Sequence, residues 1–288
     1  MIDRAFSTIG LWLVVGLVIW VGGRFGLAEK AAFGILCILV VMAQYEFYKL
    51  VRNIPGTRQS SYSGIIAGFA LLCTLYFNEN NNELTIYSLK LVTSIFGVYL
   101  IFLLSRSQSP PVLLQKLPTF FGFLYLPVML APLVAIVRLE NPLGLYYVLW
   151  VVIATKFTDV GGLIIGVPFG KHKIAPQISP AKSWEGVLGG IIVSALVSAA
   201  FAWFCNHSLG IDFMVPYKAA LLALPLAALS VPSDLIESVF KRQAGAKDSG
   251  HTIPGIGGAL DLIDSLVLTA PVALILLSYF LSWAKVAG

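Results

Sequence analysis

The chain has 288 residues, of which 58% are hydrophobic and 11% charged, with a formal net charge of +5. Soluble domains carry about 25% charged residues, so this composition excludes an ordinary soluble globule and defines an integral membrane protein. The positive balance does not mark a nucleic-acid binder, because the lysines and arginines sit in short connections beside apolar spans, where they set orientation.

A transmembrane helix takes about 20 mostly apolar residues, and nine such stretches are predicted in order. Phe6–Gly23 sits where a signal peptide would, but no small-x-small cleavage site follows, so it is expected to stay as an anchor. Ala31 to about Val51 comes next, with Glu46 near its end, then Ser63–Phe77 and a polar turn over 78–83. Ile86–Leu104 carries Lys90, and Ser105–Leu117, with Pro110 and Pro111, reads as a loop. Pro118–Val137 is interrupted by Pro127 and Pro132, and Leu143 to about Ile165 contains Lys156 and Asp159. After a polar loop, Gly166–Glu185, come Gly186–Cys205, Ala219–Val231 and Leu266–Trp283. The fold expected is an all-α polytopic bundle of about nine transmembrane helices, one domain over 1–288, with N-terminal spans in 1–140 and a catalytic half in 141–288.

Lysine and arginine concentrate in the even-numbered connections: Lys49, Arg52 and Arg58; Arg106 and Lys116; Lys171, Lys173 and Lys182; Lys241, Arg242 and Lys247. The odd connections hold only Arg24, Lys30, Arg138 and Lys218. The positive-inside rule therefore places the even loops in the cytoplasm. Cys37, Cys73 and Cys205 lie in apolar runs with no CxxC spacing, as small buried hydrophobes do.

Ionisable residues inside a span are costly and mark a site or a polar cavity. Lys156 and Asp159, three apart, read either as a mutual ion pair or as the lining of such a cavity. Glu46 and Lys90 lie near span ends, within reach of water by snorkelling. The loop over 166–190 offers Lys171, Lys173 and Lys182 to anionic oxygens, and Trp184 suits the membrane interface. Ser179-Pro-Ala-Lys182 fits an SxxK pattern, but the SDN and KTG partners of acyl-serine enzymes are absent. The three histidines form no zinc pattern, and no Walker-type loop occurs.

The chemistry concentrates in Ser233–Ser265. Asp234, Glu237, Ser238 and Lys241 fall at i, i+3, i+4 and i+7, so a helix puts them on one face. Asp261 and Asp264 share a face in the same way. Between them, the glycines and proline of 250–258 break the helix and let the backbone approach a ligand closely. Carboxylates bind hard cations and lysine or arginine binds phosphate, so helix, polar loop, helix suits a metal–polyphosphate substrate.

Ser238-Val-Phe-Lys241-Arg242, Lys247-Asp248-Ser249-Gly250, Pro254-Gly255-Ile256-Gly257-Gly258 and Leu260-Asp261-Leu262-Ile263-Asp264-Ser265 together resemble the signature of the phosphatidate cytidylyltransferases (CDP-diacylglycerol synthases). Phe169-Gly170-Lys171 through Ser179-Pro180 to Lys182-Ser183-Trp184-Glu185-Gly186 resembles that family's other marked stretch, and Asp159 matches its upstream acid. Three positions depart from the pattern: Ile256 stands where the family usually has His, Leu262 where it has Arg, and Ser233 where it often has Gly. The acids and the Lys-Arg pair are intact, which implies a divergent but active member.

The resemblance implies transfer of CMP from CTP to phosphatidate, giving CDP-diacylglycerol and pyrophosphate in phospholipid biosynthesis. It implies Mg2+, one ion or two, on Asp248, Asp261 and Asp264, with Asp234 a further ligand. Lys241, Arg242 and Lys247 would clamp phosphates, with Asp248 beside them in the catalytic set. Gly255, Gly257 and Gly258 would let the backbone meet the nucleotide, near Ser238. Lys171, Ser179 and Lys182 would hold a lipid or nucleotide phosphate, and Asp159 would close the site. The expected partners are CTP, phosphatidate and the lipid bilayer, with no nucleic acid, and a homodimer is implied by resemblance only. The expected place is a bacterial-type cytoplasmic membrane, with the active-site loops facing the cytoplasm. Two alternatives are a CTP-dependent lipid kinase, which would give CDP and a phosphorylated lipid, and a transporter of an anionic solute. The transporter is expected to show internal repeats, and the sequence shows none.

Overall fold

A computed structural model describes residues 16, 25–54, 61–77, 110–139, 143–250, 252 and 257–287. Its elements in chain order are α1 (Ala28–Val51), α2 (Ser61–Phe77), α3 (Pro110–Phe123), a π-helical turn (Leu124–Val128), α4 (Met129–Val137), α5 (Leu143–Phe169), β1 (Lys173–Ala175), β2 (Ser179–Ser183), α6 (Trp184–Ser208), α7 (Pro216–Gln243) and α8 (Ala259–Ala287). Six stretches are helical, long and apolar enough to cross a membrane, and Tyr62–Phe77 is a shorter apolar helix. These account for seven of the predicted spans among the described residues. The other two, Phe6–Gly23 and Ile86–Leu104, lie outside the described residues.

Three boundaries differ from the sequence reading. Helix begins at Pro110 rather than after Leu117, and proline is favoured in a first helical turn, where its missing N–H is no loss. The eighth span starts at Pro216 rather than Ala219 and runs on unbroken to Gln243, through Pro225 and Pro232, as the helix that carries Asp234 and Lys241. Membrane helices tolerate such prolines when neighbouring groups satisfy the freed carbonyls. The loop after α5 is not irregular: β1 and β2 form an antiparallel hairpin, pairing Lys173 with Ser183 and Ala175 with Ser179. Pro127 stands within the π-helical turn, where a proline's missing donor disturbs the ordinary i→i−4 ladder.

The chain divides into two compact units, each discontinuous in sequence. The first takes residues up to Arg138 together with Phe240–Ile263. Phe33 stacks on Tyr76 with centroids 3.9 Å apart. Tyr48 Oη donates to the Thr119 carbonyl at 2.9 Å, Gln44 Nε2 to that of Gly64 at 3.1 Å. Phe47 meets Phe240 edge to face, centroids 5.4 Å apart, so α1 packs directly against the residue preceding Lys241.

The second unit takes Leu139–Val239 and Asp264–Gly288. Small residues let α5 and α6 approach closely, as membrane helices require when no hydrophobic effect drives them together. At Gly190 a Cβ would collide with the Thr158 carbonyl oxygen. Ser194 Oγ donates to the Ala154 carbonyl at 2.6 Å. Ser183, in extended conformation, caps α6 by accepting the Gly186 N–H at 3.2 Å. Ser183→Ala is expected to lower unfolding free energy in mixed micelles by about 1 kcal/mol, since the cap is buried. An unchanged unfolding curve would show that water or another group replaces it.

Candidate active site

In the second unit, α7 and α8 bring three acids together. One carboxylate oxygen from each of Asp234, Glu237 and Asp264 lies within 4.8 Å of the other two. Glu237 is fully buried and Asp264 nearly so. Helical spacing explains the first two, which are three residues apart on α7. Ser233 holds the third by donating Oγ–H to the Asp264 carbonyl and accepting the Leu268 N–H at 3.2 Å.

Two lysines offset this charge. Lys156 of α5 reaches Asp264 Oδ1 at 3.3 Å, and Lys182 at the end of the hairpin pairs with Asp234. The predicted mutual pair of Lys156 with Asp159 is thus not the ion pair formed; Lys156 turns to Asp264 on α8. Asp159 stays within electrostatic range of Lys156, Lys182 and Asp234. The hairpin that delivers Lys182 is anchored by Glu185, which accepts the backbone N–H groups of Lys171 and His172 at 3.1 and 3.2 Å and meets His172 Nδ1 at 2.6 Å. Lys171 is exposed and Ser179 half-buried.

The hard oxygen donors fit a divalent cation. Opposite oxygens around one Mg2+ stand about 4.2 Å apart, close to the spread of this cluster.

The first unit holds a centre of its own, built on residues 244–250, 252, 257 and 258 and the first turn of α8. Asp261 Oδ1 accepts from Lys241 Nζ at 2.9 Å. Its Oδ2 accepts from the Ser249 hydroxyl at 2.8 Å, the Ser249 N–H at 3.2 Å and the Gly258 N–H at 2.9 Å. The last bond is the reach-back half of a capping box, satisfying a helix N–H that has no partner within α8. Glu46, from α1, accepts the Leu260 N–H at 2.9 Å, the Ser249 hydroxyl at 3.4 Å and the Thr252 hydroxyl. It is 1% exposed, so the expected snorkelling to water is replaced by complete burial under donors.

The glycines have a local reason as well. Gly257 sits at φ 127°, where a side chain is strained, and a Cβ there would lie 3.0 Å from Asp261 Oδ2. At Gly258 it would collide with Ser249 Oγ and Glu46 Oε2. Both glycines therefore admit the carboxylates that order the loop. Gly255 and Ile256 lie outside the described residues.

Of the predicted metal ligands, Asp234 and Asp264 meet, Asp261 is engaged by Lys241 and the loop, and half-buried Asp248 precedes Ser249. Arg242 and Lys247 are exposed, and Ser238 is buried. Sequence reasoning put Glu237 on the right helix face but not among the ligands. It also gave Glu46 no partner, although a lone carboxylate in an apolar span is itself a signal.

Six long apolar helices, three of them carrying buried acids, make this a multi-pass membrane protein with polar chemistry inside its spans. The chain belongs to the cytidylyltransferase family, whose model matches residues 2–280. It is 44% identical over 128 residues to the phosphatidate cytidylyltransferase of Haemophilus influenzae, covering 44% of each chain. To the phosphatidate cytidylyltransferase of Staphylococcus haemolyticus it is 40% identical over 134 residues, 46% of this chain and 50% of that one. The protein of the same name from Staphylococcus aureus is 38% identical over the same shares. The chain spans about half the length of the curated relatives it matches.

Proposed function

We propose that the protein transfers the cytidylyl group of CTP to phosphatidate, releasing pyrophosphate and forming CDP-diacylglycerol. The observation that carries this reading is the triad of buried Glu237 and Asp264 with half-buried Asp234, paired with Lys156 and Lys182, in a chain matched to the cytidylyltransferase family over 2–280. A phosphate oxygen of phosphatidate attacks the α-phosphorus of CTP, and the bond to the β-phosphate oxygen breaks. That nucleophile is already anionic at neutral pH, so no strong general base is required. The absence of a histidine at Ile256 is compatible with this chemistry.

The demand on the protein is to bring two anions together and to stabilise the charge leaving on pyrophosphate. Asp234, Glu237 and Asp264 hold Mg2+ in this proposal, and the ion supplies positive charge to polyphosphate oxygens. Lys241, Arg242 and Lys247 bind phosphates, with Lys241 oriented by Asp261. Lys171, Ser179 and Lys182 serve the same purpose from the hairpin, and Asp159 closes the polar region on α5. Placement of lysine and arginine supports nine spans with these loops on the cytoplasmic face, where CTP is found.

The test is turnover by the purified, detergent-solubilised protein given phosphatidate, Mg2+ and CTP labelled at either the α- or the γ-phosphate. Label from the α-phosphate is expected in lipid, with release of pyrophosphate. Label entering lipid only from the γ-phosphate would make the protein a lipid kinase, and no labelled lipid from either form would refute phosphatidate as the acceptor.

A further inference from the structure

We infer that Glu46 is a positioning residue for the reaction, acting through Ser249, Thr252 and the start of α8. The inference rests on the cytidylyl-transfer reading for its kinetic part alone. Glu46 sits on α1, more than 200 residues from the groups it touches. Nothing in a membrane span requires a carboxylate there, and a buried charge is costly unless donors surround it. Here they do. Oε2 takes the Leu260 N–H and the Ser249 hydroxyl, and Oε1 takes the Thr252 hydroxyl. Thr252 Oγ1 in turn accepts the Ala259 N–H at 3.2 Å. The first N–H groups of α8 have no helical partner. Those of Ala259 and Leu260 are satisfied through Glu46 and Thr252, and that of Gly258 through Asp261.

The consequence reaches beyond stability. Ser249 is shared between Glu46 and Asp261, and Asp261 holds Lys241. Lys247 and Asp248 immediately precede Ser249. One buried carboxylate on α1 therefore sets the register between the basic end of α7, the loop and the first turn of α8. Gly250 and Gly258 lack a Cβ where one would strike the Glu46 side chain, so the loop is shaped around this residue. Losing it leaves the phosphate-binding cations in place chemically but loosely held, and small misplacement weakens binding and turnover.

Glu46→Leu keeps the apolar bulk and removes every acceptor. Glu46→Gln keeps an oxygen for the Leu260 N–H, and its amide can donate to Thr252 Oγ1. In Glu46→Leu we expect the KM for CTP to rise about tenfold, with amide hydrogen exchange at 259–260 about tenfold faster than in the unaltered protein. Partial unfolding alone would lower kcat and leave KM unchanged. Glu46→Gln is expected to restore both readouts to within about threefold, because hydrogen bonding rather than charge is what positions the loop. Wild-type KM and exchange in Glu46→Leu would overturn the inference, and so would a Glu46→Gln variant as impaired as Glu46→Leu. Should Glu46→Leu fail to fold, Thr252→Val removes one link of the same chain and is expected to raise KM and exchange in the same direction; unchanged values there would also overturn it. If the unaltered protein makes no CDP-lipid, the reaction assignment fails, and hydrogen exchange alone decides the role of Glu46.

Discussion

Asp264→Asn is expected to lower Mg2+-dependent turnover about 10³-fold, in line with removal of a preorganised, nearly buried charge. The substitution preserves shape and one carbonyl oxygen, so packing around α8 survives. What changes is charge. Asp264 Oδ1 lies 3.3 Å from Lys156, and the side chain is one of three acids, two of them buried, whose oxygens converge within 4.8 Å. With asparagine there, the ion pair between Lys156 and Asp264 is lost, and the cluster loses one formal negative charge. Each change opposes a divalent cation. The half-saturating Mg2+ concentration should therefore rise at least about tenfold, equivalent to about 1.4 kcal/mol of cation binding. Glu237→Gln is expected to act in the same direction. The measurement is an Mg2+ titration of CDP-lipid formation, with circular dichroism confirming folded protein. Wild-type Mg2+ dependence in both variants would remove the metal from this triad.

The carboxylates were legible in the sequence because helical periodicity orders them along one element. Asp234 and Glu237 at i and i+3, and Asp261 and Asp264 likewise, announce shared faces before any fold is known. The apolar runs announce the spans for the same reason, each being a local property of about 20 residues. What the sequence withheld are pairings between distant segments. Lys156 meets Asp264 across 108 residues, and Glu46 meets Leu260 across 214. No local pattern distinguishes Lys156 bound to Asp159, three residues away, from Lys156 bound to Asp264. The hairpin was hidden for another reason: β1 is three residues long and β2 contains Pro180, so alternation has too little length to register. The glycines at 257 and 258 were read as sites where the backbone meets a ligand, and the structure sets the protein's own carboxylates against them.

Asp261→Asn separates a metal ligand from an organiser of the loop, and the expected result is a fall in turnover of about 10²-fold with the half-saturating Mg2+ concentration unchanged within about twofold. Both oxygens of Asp261 face donors only. Oδ1 meets the Lys241 ammonium at 2.9 Å, and Oδ2 meets the Ser249 and Gly258 N–H groups at 3.2 and 2.9 Å. An asparagine must turn its NH2 toward one of these sets. Turned toward Lys241, it breaks the ion pair with that ammonium; turned toward the backbone, it leaves two N–H groups of the loop and helix cap unsatisfied. Either outcome costs about 1–3 kcal/mol of local order, concentrated where Lys241 and the 247–249 segment are held. Lys241→Met should reproduce the first of these losses, and the double variant should be less impaired than the product of the two single effects, since both remove one interaction. The Mg2+ titration is the discriminating measurement. A rise in half-saturation matching that of Asp264→Asn would make Asp261 a metal ligand that exchanges Lys241 for the cation. An unchanged value with slow turnover leaves the cation to Asp234, Glu237 and Asp264, and assigns Asp261 to holding Lys241 and the loop in place.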